Sequence, residues 1–190
     1  TDNTNGLNIV GTDHIYSPVF YVSNAGHGFG IIPSEPSSLT YAVNNVLPNG
    51  VIYINGDCDI ENTIILNNLV NVTFIGNGTS FNRKGNIKYL FVLKDGSDVK
   101  FENITLKGGV SVEQDNEFYL NNVTLISDYG AGIEFNEGSR GTISNSTFAG
   151  SSTNIDHVVT ANGTVAISNT NFTNNHLKGS SVYYGSTGTG

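Results

Sequence analysis

The chain has 190 residues, enough for one well-buried domain, and its composition asks for no second one. With 8 Lys and Arg against 16 Asp and Glu, the net charge of −8 leaves no basic stripe for nucleic acid or an anionic membrane surface. A single Cys rules out an intramolecular disulfide, no Cys/His cluster has zinc spacing, and no run of about 18 apolar residues could span a bilayer, so packing must hold the fold.

Residues 1–49 read as an N-terminal strand, a loop and a capping helix. In IPSEPSSLTYAVNNVLPNG, residues 32–50, Ser37 or Ser38 can cap a helix whose Leu39, Ala42, Val43, Val46 and Leu47 fall near the 3.6-residue period; Pro48-Asn49-Gly50 ends it. A solenoid end exposes strand edges and open core, and an amphipathic lid of this kind covers them. Next come Asp57, Asp59 and Glu61, alternating with Cys58 and Ile60. The three carboxylates project from one strand; their i, i+2 spacing fits a hydrolytic pair or a calcium site, and a solvated acidic face explains it equally well, while Cys58 reads as a small core residue.

A repeat fills residues 50–184. SDVKFENITLKGG, NEFYLNNVTLIS, SRGTISNSTFAGS and GTVAISNTNFTNN each write an alternating apolar pattern closed by an Asn and followed by a further apolar residue. The closing residues Asn103, Asn122, Asn145 and Asn169 are 19, 23 and 24 apart, and a weaker copy puts Gly76 in that place 27 residues earlier. A period of this size marks a solenoid. Each unit holds two strand signals divided by a turn: YLFVLKDGS, GGVSVEQDN, GAGIEFNEGS and DHVVTANG each lead into the Asn-closed strand.

Every strand resembles the one a full period away, so like stacks on like in parallel, about 4.8 Å per rung. The chain then makes about six rungs. Val92, Val99, Phe101, Leu106, Val112, Phe118, Leu120, Leu125, Ile133, Phe135, Ile143, Phe148, Val159, Val165, Ile167 and Phe172 point inward as core. Asn103, Asn122, Asn145 and Asn169 are the structural corner, turning the chain in a left-handed residue and hydrogen-bonding up the stack. Leucine-rich repeats need a Leu framework that is missing here, and propeller blades are longer and antiparallel. After a last strand signal at Val182–Tyr184, residues 185–190 read as a flexible tail; no matching cap is visible and Met is absent, so the chain is expected to be part of a longer polypeptide.

Seven Asn-x-Ser/Thr sequons begin at Asn71, Asn77, Asn103, Asn122, Asn145, Asn162 and Asn171. Asn77 and Asn162, in Gly-containing turns, are the favoured glycan acceptors, followed by Asn71 and Asn171, since a laddered corner side chain is already committed. Tyr53 and Tyr119 point outward, and Tyr183 and Tyr184 straddle the two faces of the last strand; Tyr53, Tyr119 and Tyr184 are the candidate ligand-binding residues, because an aromatic face can stack on a sugar or anchor a protein contact. His14, His27, His157 and His176 share no spacing, so no metal site, cofactor or catalytic set is expected.

FYVSNAGHGFGIIPSEPSSLTYAVNNVLPNGVIYINGDCDI followed by NVTFIGNGT resembles the opening of the right-handed parallel β-helix modules in adhesin-like surface proteins of methanogenic archaea, and more distantly the pectate-lyase-like superfamily. The matching residues are Tyr21 to Ser23, Gly26 to Gly30, Pro33 to Ser38, Tyr41 to Val43, Gly50 to Ile54 and Val72 to Gly76. The resemblance implies a right-handed parallel β-helix at the cell surface, acting as a non-catalytic adhesin that attaches to a protein or glycan of another cell. It also raises a rival, a lyase or hydrolase that cleaves polysaccharide. Against the rival, Arg83 and Arg140 are the only arginines and no Arg-x-Pro-x-x-Arg motif occurs; for it, Ile155-Asp156-His157 is similar to the lyases' Ile-Asp-His. A cleft joining Asp156 to a basic residue and a second carboxylate would favour the rival.

Overall fold

The computed structural model describes residues 14–151 and 155–190; residues 1–13 of the N-terminal segment lie outside them. The described chain is a β-solenoid of about six turns with three sides. Every pairing between named strands is parallel and joins residues roughly one period apart.

The first side stacks Ser17–Val22, Val46–Ile54, the opening halves of Val72–Arg83 and Asp98–Lys107, then Glu117–Asn121, Arg140–Ser144 and Thr164–Ser168. The second side stacks Cys58–Ile60, the closing halves of the same two long strands, Thr124–Leu125, Thr147–Ala149 and Asn171–Thr173. The third is a separate six-stranded sheet of Ile64–Asn67, Tyr89–Lys94, Gly109–Val112, Ile133–Phe135, Val159–Ala161 and Val182–Tyr184. Each unit therefore has three strands where two signals are visible in the sequence. The corner Asn splits the second signal, and the piece after it, as short as Thr124–Leu125, is a side of its own.

Inward columns fill the core. Phe20, Ile52, Phe74, Phe101, Leu120, Ile143 and Ile167 are in register on the first side, and Cys58, Phe81, Leu106, Leu125, Phe148 and Phe172 on the second. The inward residues named from the sequence are buried in the core except Ile167 and Phe172, which are half-buried on the last turn, and Val92, which is covered but faces outward, in register with Ile65 and Ser111. Burying each large side chain is worth about 1.5–3 kcal/mol, so the stack is stabilised chiefly by these columns. One column contains a gap that is filled from across the core. Gly141 stands in register with Phe118 and Val165, and a Cβ there would lie 2.1 Å from the Phe135 ring, so Phe135 of the third side takes the space.

Asn103, Asn122, Asn145 and Asn169 have φ of 58°, 55°, 52° and 47°, the left-handed region that lets one residue turn the chain from the first side to the second. Asn122 Nδ2 donates to Asn103 Oδ1 (2.6 Å) and Asn169 Nδ2 to Asn145 Oδ1 (2.5 Å). Between these pairs the ladder sidesteps, for Asn145 Nδ2 donates to Asn121 Oδ1 (2.8 Å), one residue before the corner. The other corners carry polar stacks of their own. Ser97 Oγ donates to the Leu66 and Lys94 carbonyls, and Ser151 Oγ accepts from the Ser127 amide.

Helix α1 (Leu39–Asn45) is capped by Ser38, whose hydroxyl accepts from the Tyr41 amide at 3.1 Å. It buries Leu39, Ala42 and Val43 and leads straight into the second strand of the first side. At the other end residues 185–190 are tied down where a free tail was expected. The Gly185 amide donates to the Ala161 carbonyl, the Thr189 amide to Gly163, and the Val165 amide to Thr189.

Candidate functional site

The third side offers the most structured outer surface. Its outward column in register is Ile65, Val92, Ser111, Glu134, Thr160 and Tyr183. Ser111 faces outward yet is buried, because the Tyr89 side chain lies over it and donates its hydroxyl to Glu134 Oε1 two turns away. Burial, and then the Glu134 hydrogen bond and charge, hold the Tyr89 phenol well above its ordinary pKa, so it stays a donor.

Beside Tyr89 runs a groove of about 320 Å³. Lys88, Glu134, Asn136, Asp156, His157, Thr160, Asn162 and Tyr183 line it, with Gly132 in its wall. A second hollow, formed by Asn86, Lys88, Tyr129 and Gly130, adjoins it and shares Lys88 and Gly130 with it. Gly130 has φ 80°, and a Cβ there would come within 2.8 Å of the Lys88 carbonyl, so glycine lets this loop lie against the strand entry. Arg83 stands 4.4 Å above the Tyr129 ring and pairs with Asp128 at 3.5 Å.

The His157 and Tyr183 rings stack at 4.8 Å and 12°. His157 Nδ1 is 2.8 Å from the Ser180 carbonyl, which can only accept, so Nδ1 carries the proton and Nε2 is the ring's acceptor. Asn136 Nδ2 is committed to Ser111 Oγ at 3.1 Å, while its carbonyl oxygen has no such tie. The groove thus combines an aromatic platform, side-chain amides, a threonine hydroxyl, two carboxylates, an ammonium and an imidazole acceptor. That set can stack on a sugar ring and hydrogen-bond its hydroxyls.

The first side carries a hollow of about 580 Å³ lined by Asp98, Lys100, Tyr119, Asn121 and Thr142, and a cluster of charges. Asp98, Glu117 and Arg140 are in register on neighbouring strands, with Arg140 Nη2 donating to Glu117 Oε1 at 2.7 Å and the Tyr119 hydroxyl to Glu117 Oε2. The Arg140 and then the Tyr119 hydrogen bonds pull the Glu117 carboxyl below its usual range; burial, then Glu117, pushes Asp98 up. Tyr119 is pushed up to about 12, first by its bond to Glu117 and then by burial, so this predicted ligand-binding tyrosine has its hydroxyl committed.

Tyr53, Tyr119 and Tyr184 are not brought together. Tyr53 stacks on Tyr21 of the preceding turn at 5.3 Å, and Tyr184 donates to the Val165 carbonyl at 2.9 Å beside the last turn. Asp57 accepts from the Ser80 amide, and Asp59 from Asn82. Cys58 is buried on the second side. Among the sequons, Asn71 Nδ2 donates to Asn49 Oδ1, Asn77 is exposed in a bulge, Asn162 lines the groove, and Asn171 begins the last strand of the second side. Among the described residues no group of three or more His, Cys, Asp or Glu could hold a metal ion, and no helix is long and apolar enough to cross a membrane.

Lys88, Tyr89, Glu134, Asn136 and Thr160 were missed by the sequence reading. The signal was present, since the middle residue of Val110-Ser111-Val112, Ile133-Glu134-Phe135 and Val159-Thr160-Ala161 breaks each apolar run and must face outward once the strands are parallel. Comparison with protein-family models, with curated proteins and with solved structures finds no match.

Proposed function

We propose that the chain is a non-catalytic adhesion module displayed at a cell surface, which holds a saccharide of another cell in the groove of its third side. The observation that carries this reading is the stacked His157–Tyr183 platform set beside Asn162, Thr160 and Glu134 in one channel. A sugar presents an apolar ring face and a rim of hydroxyls, and the groove offers a partner for each. The resemblance to archaeal adhesin-like β-helix modules supports the surface location, and the acidic surface suits a soluble, displayed domain. The test is titration of the protein against a glycan array and whole cells, with Tyr183→Ala as the control variant. The reading expects binding that Tyr183→Ala weakens by about tenfold or more, the loss of one stacking contact. Absence of binding to both glycans and cells sinks it.

A second reading is favoured by one specific observation: the same groove joins Asp156 to Lys88 and to a second carboxylate, Glu134, with His157 Nε2 as a free acceptor. Those groups could serve as base and acid in polysaccharide cleavage. Chain lengths of acidic and neutral polysaccharides after long incubation, with and without calcium, decide between the two. Shortened chains in the parent and unchanged chains with His157→Ala would replace the adhesin reading with an enzymatic one.

A further inference from the structure

The seven sequons share one sequence rule but differ in what their Asn side chains already do. N-glycosylation makes the carboxamide nitrogen attack C1 of a saccharide carried on a polyprenyl phosphate; the N–C1 bond forms, the C1–O bond to the phosphate breaks, the amide proton passes to the transferase's base and the lipid phosphate leaves. Two conditions follow. The nitrogen must not be donating elsewhere, and the tripeptide must come away from its strand to enter the transferase.

Asn71, Asn122 and Asn145 fail the first condition, because each Nδ2 donates to another Asn oxygen at 2.6–2.8 Å. Asn103 accepts from Asn122 in the same ladder, and its Ile104 and Thr105 pair with Thr79 and Ser80, and Thr105 with Thr124. Asn162 fails the second: its amide donates to the Phe135 carbonyl, its own carbonyl accepts from Thr187, and Thr164 pairs with Arg140. Asn171 is exposed but its strand pairs with Thr147–Ala149 through all three sequon residues.

Asn77 meets the first condition and comes nearest to the second, since of its tripeptide only Thr79 pairs, with Ile104, while Asn77 and Gly78 stand off the ladder. In the register Ile75 faces Glu102 and Thr79 faces Ile104, so residues 76–78 stand opposite Asn103 alone and bulge from the corner. Asn77 is exposed, Gly78 has φ 72° with open space at a Cβ position, and among the described residues no hydrogen bond engages the Asn77 carboxamide. The sequon's Thr79 hydroxyl is buried there without a partner among the described residues, so opening the bulge forfeits no bond at that hydroxyl. We infer that Asn77 is the principal N-glycan acceptor of the folded chain, with the corner sequons masked by the ladder. The inference does not rest on the groove.

The experiment incubates the folded protein with a purified oligosaccharyltransferase and a lipid-linked saccharide, and in parallel a proteolytic digest of the same protein, mapping sites by mass spectrometry. The folded protein should carry glycan at Asn77 at about tenfold the occupancy of Asn71, Asn122 or Asn145, and the gap should collapse in the digest, where no ladder exists. Asn77→Gln should remove the main glycoform without moving the melting temperature. Equal occupancy of the corner sequons in the folded protein, a bare Asn77 in the folded protein, or a gap that persists in the digest would each overturn it.

Discussion

The two ends of the stack are built differently. At the N-terminal end Phe20 and Val22 are fully buried, because the Ser37 segment pairs along the first strand and α1 lays Leu39, Ala42 and Val43 over the core. At the last turn Ile167, Phe172 and Val182 remain half-buried, although 185–190 folds back on the first side near Val165. The same inward pattern therefore yields different burial depending on whether something covers the rung. In a stack whose units touch chiefly their neighbours, an inner rung is worth more than an outer one of equal sequence.

The largest test of that difference is a pair of truncations. Phe101 is fully buried, with Phe74, Phe91 and Phe118 rings at 4.9–5.3 Å, whereas Phe172 has one such neighbour, Phe148 at 5.3 Å. Phe101→Ala should cost about 3–5 kcal/mol and Phe172→Ala about 1–2 kcal/mol, read from urea midpoints. Equal costs would mean that the last turn is as well packed as the middle.

Alkaline pH probes the covered end. Burial, then Asp57 and Asp59, push the Cys58 thiol from its ordinary 9.0 up to about 11. The folded state keeps the proton that the unfolded state releases, so this contribution is intact below pH 9.0 and is lost as pH rises from there through about 11, roughly 3 kcal/mol in all. Cys58→Ala should flatten that part of the stability profile; an unchanged slope contradicts a buried thiol.

Smaller effects come from the corners and the cap. Asn122→Ala should cost about 1–2 kcal/mol, combining left-handed strain with one lost ladder bond, and glycine at that position should recover the strain part. Asn169→Ala, on the outer turn, should cost less, as judged by melting temperature. If Asn122→Ala melts with the parent, the ladder contributes no stability. Ser38→Ala should cost about 1 kcal/mol through the lost cap, with hydrogen exchange accelerated around α1 and unchanged on the last turn. Asn77→Ala, in the bulge, should stay within about 0.5 kcal/mol of the parent.

The solenoid was legible because its cause is repeated. An alternation closed by Asn recurs at Phe101–Asn103, Leu120–Asn122 and Ile143–Asn145, and stacking such units leaves few alternatives to a parallel coil. Other features were harder to read. The second side escaped notice as a side because Thr124–Leu125 and Thr147–Ala149 are too short to display a period. Ser17–Val22 joins the first side with no Asn-closed pattern of its own, since α1 and its loop occupy the place where a second and third strand would follow. The groove depends on residues from Lys88 to Tyr183 meeting on one face, which follows only once the register is known.

Tyr89 and Glu134 carry a consequence for how the molecule comes apart. In a one-dimensional array each unit is coupled only to the next, so rungs can peel from an end one at a time. The Tyr89 hydroxyl passes over the rung of Gly109–Val112 to reach Glu134, joining units that are second neighbours. Opening the rung of Ile133–Phe135 therefore also strips the cover from Ser111 one rung further in. A next-nearest tie of this kind widens the block expected to open together to the three rungs from Tyr89 to Glu134.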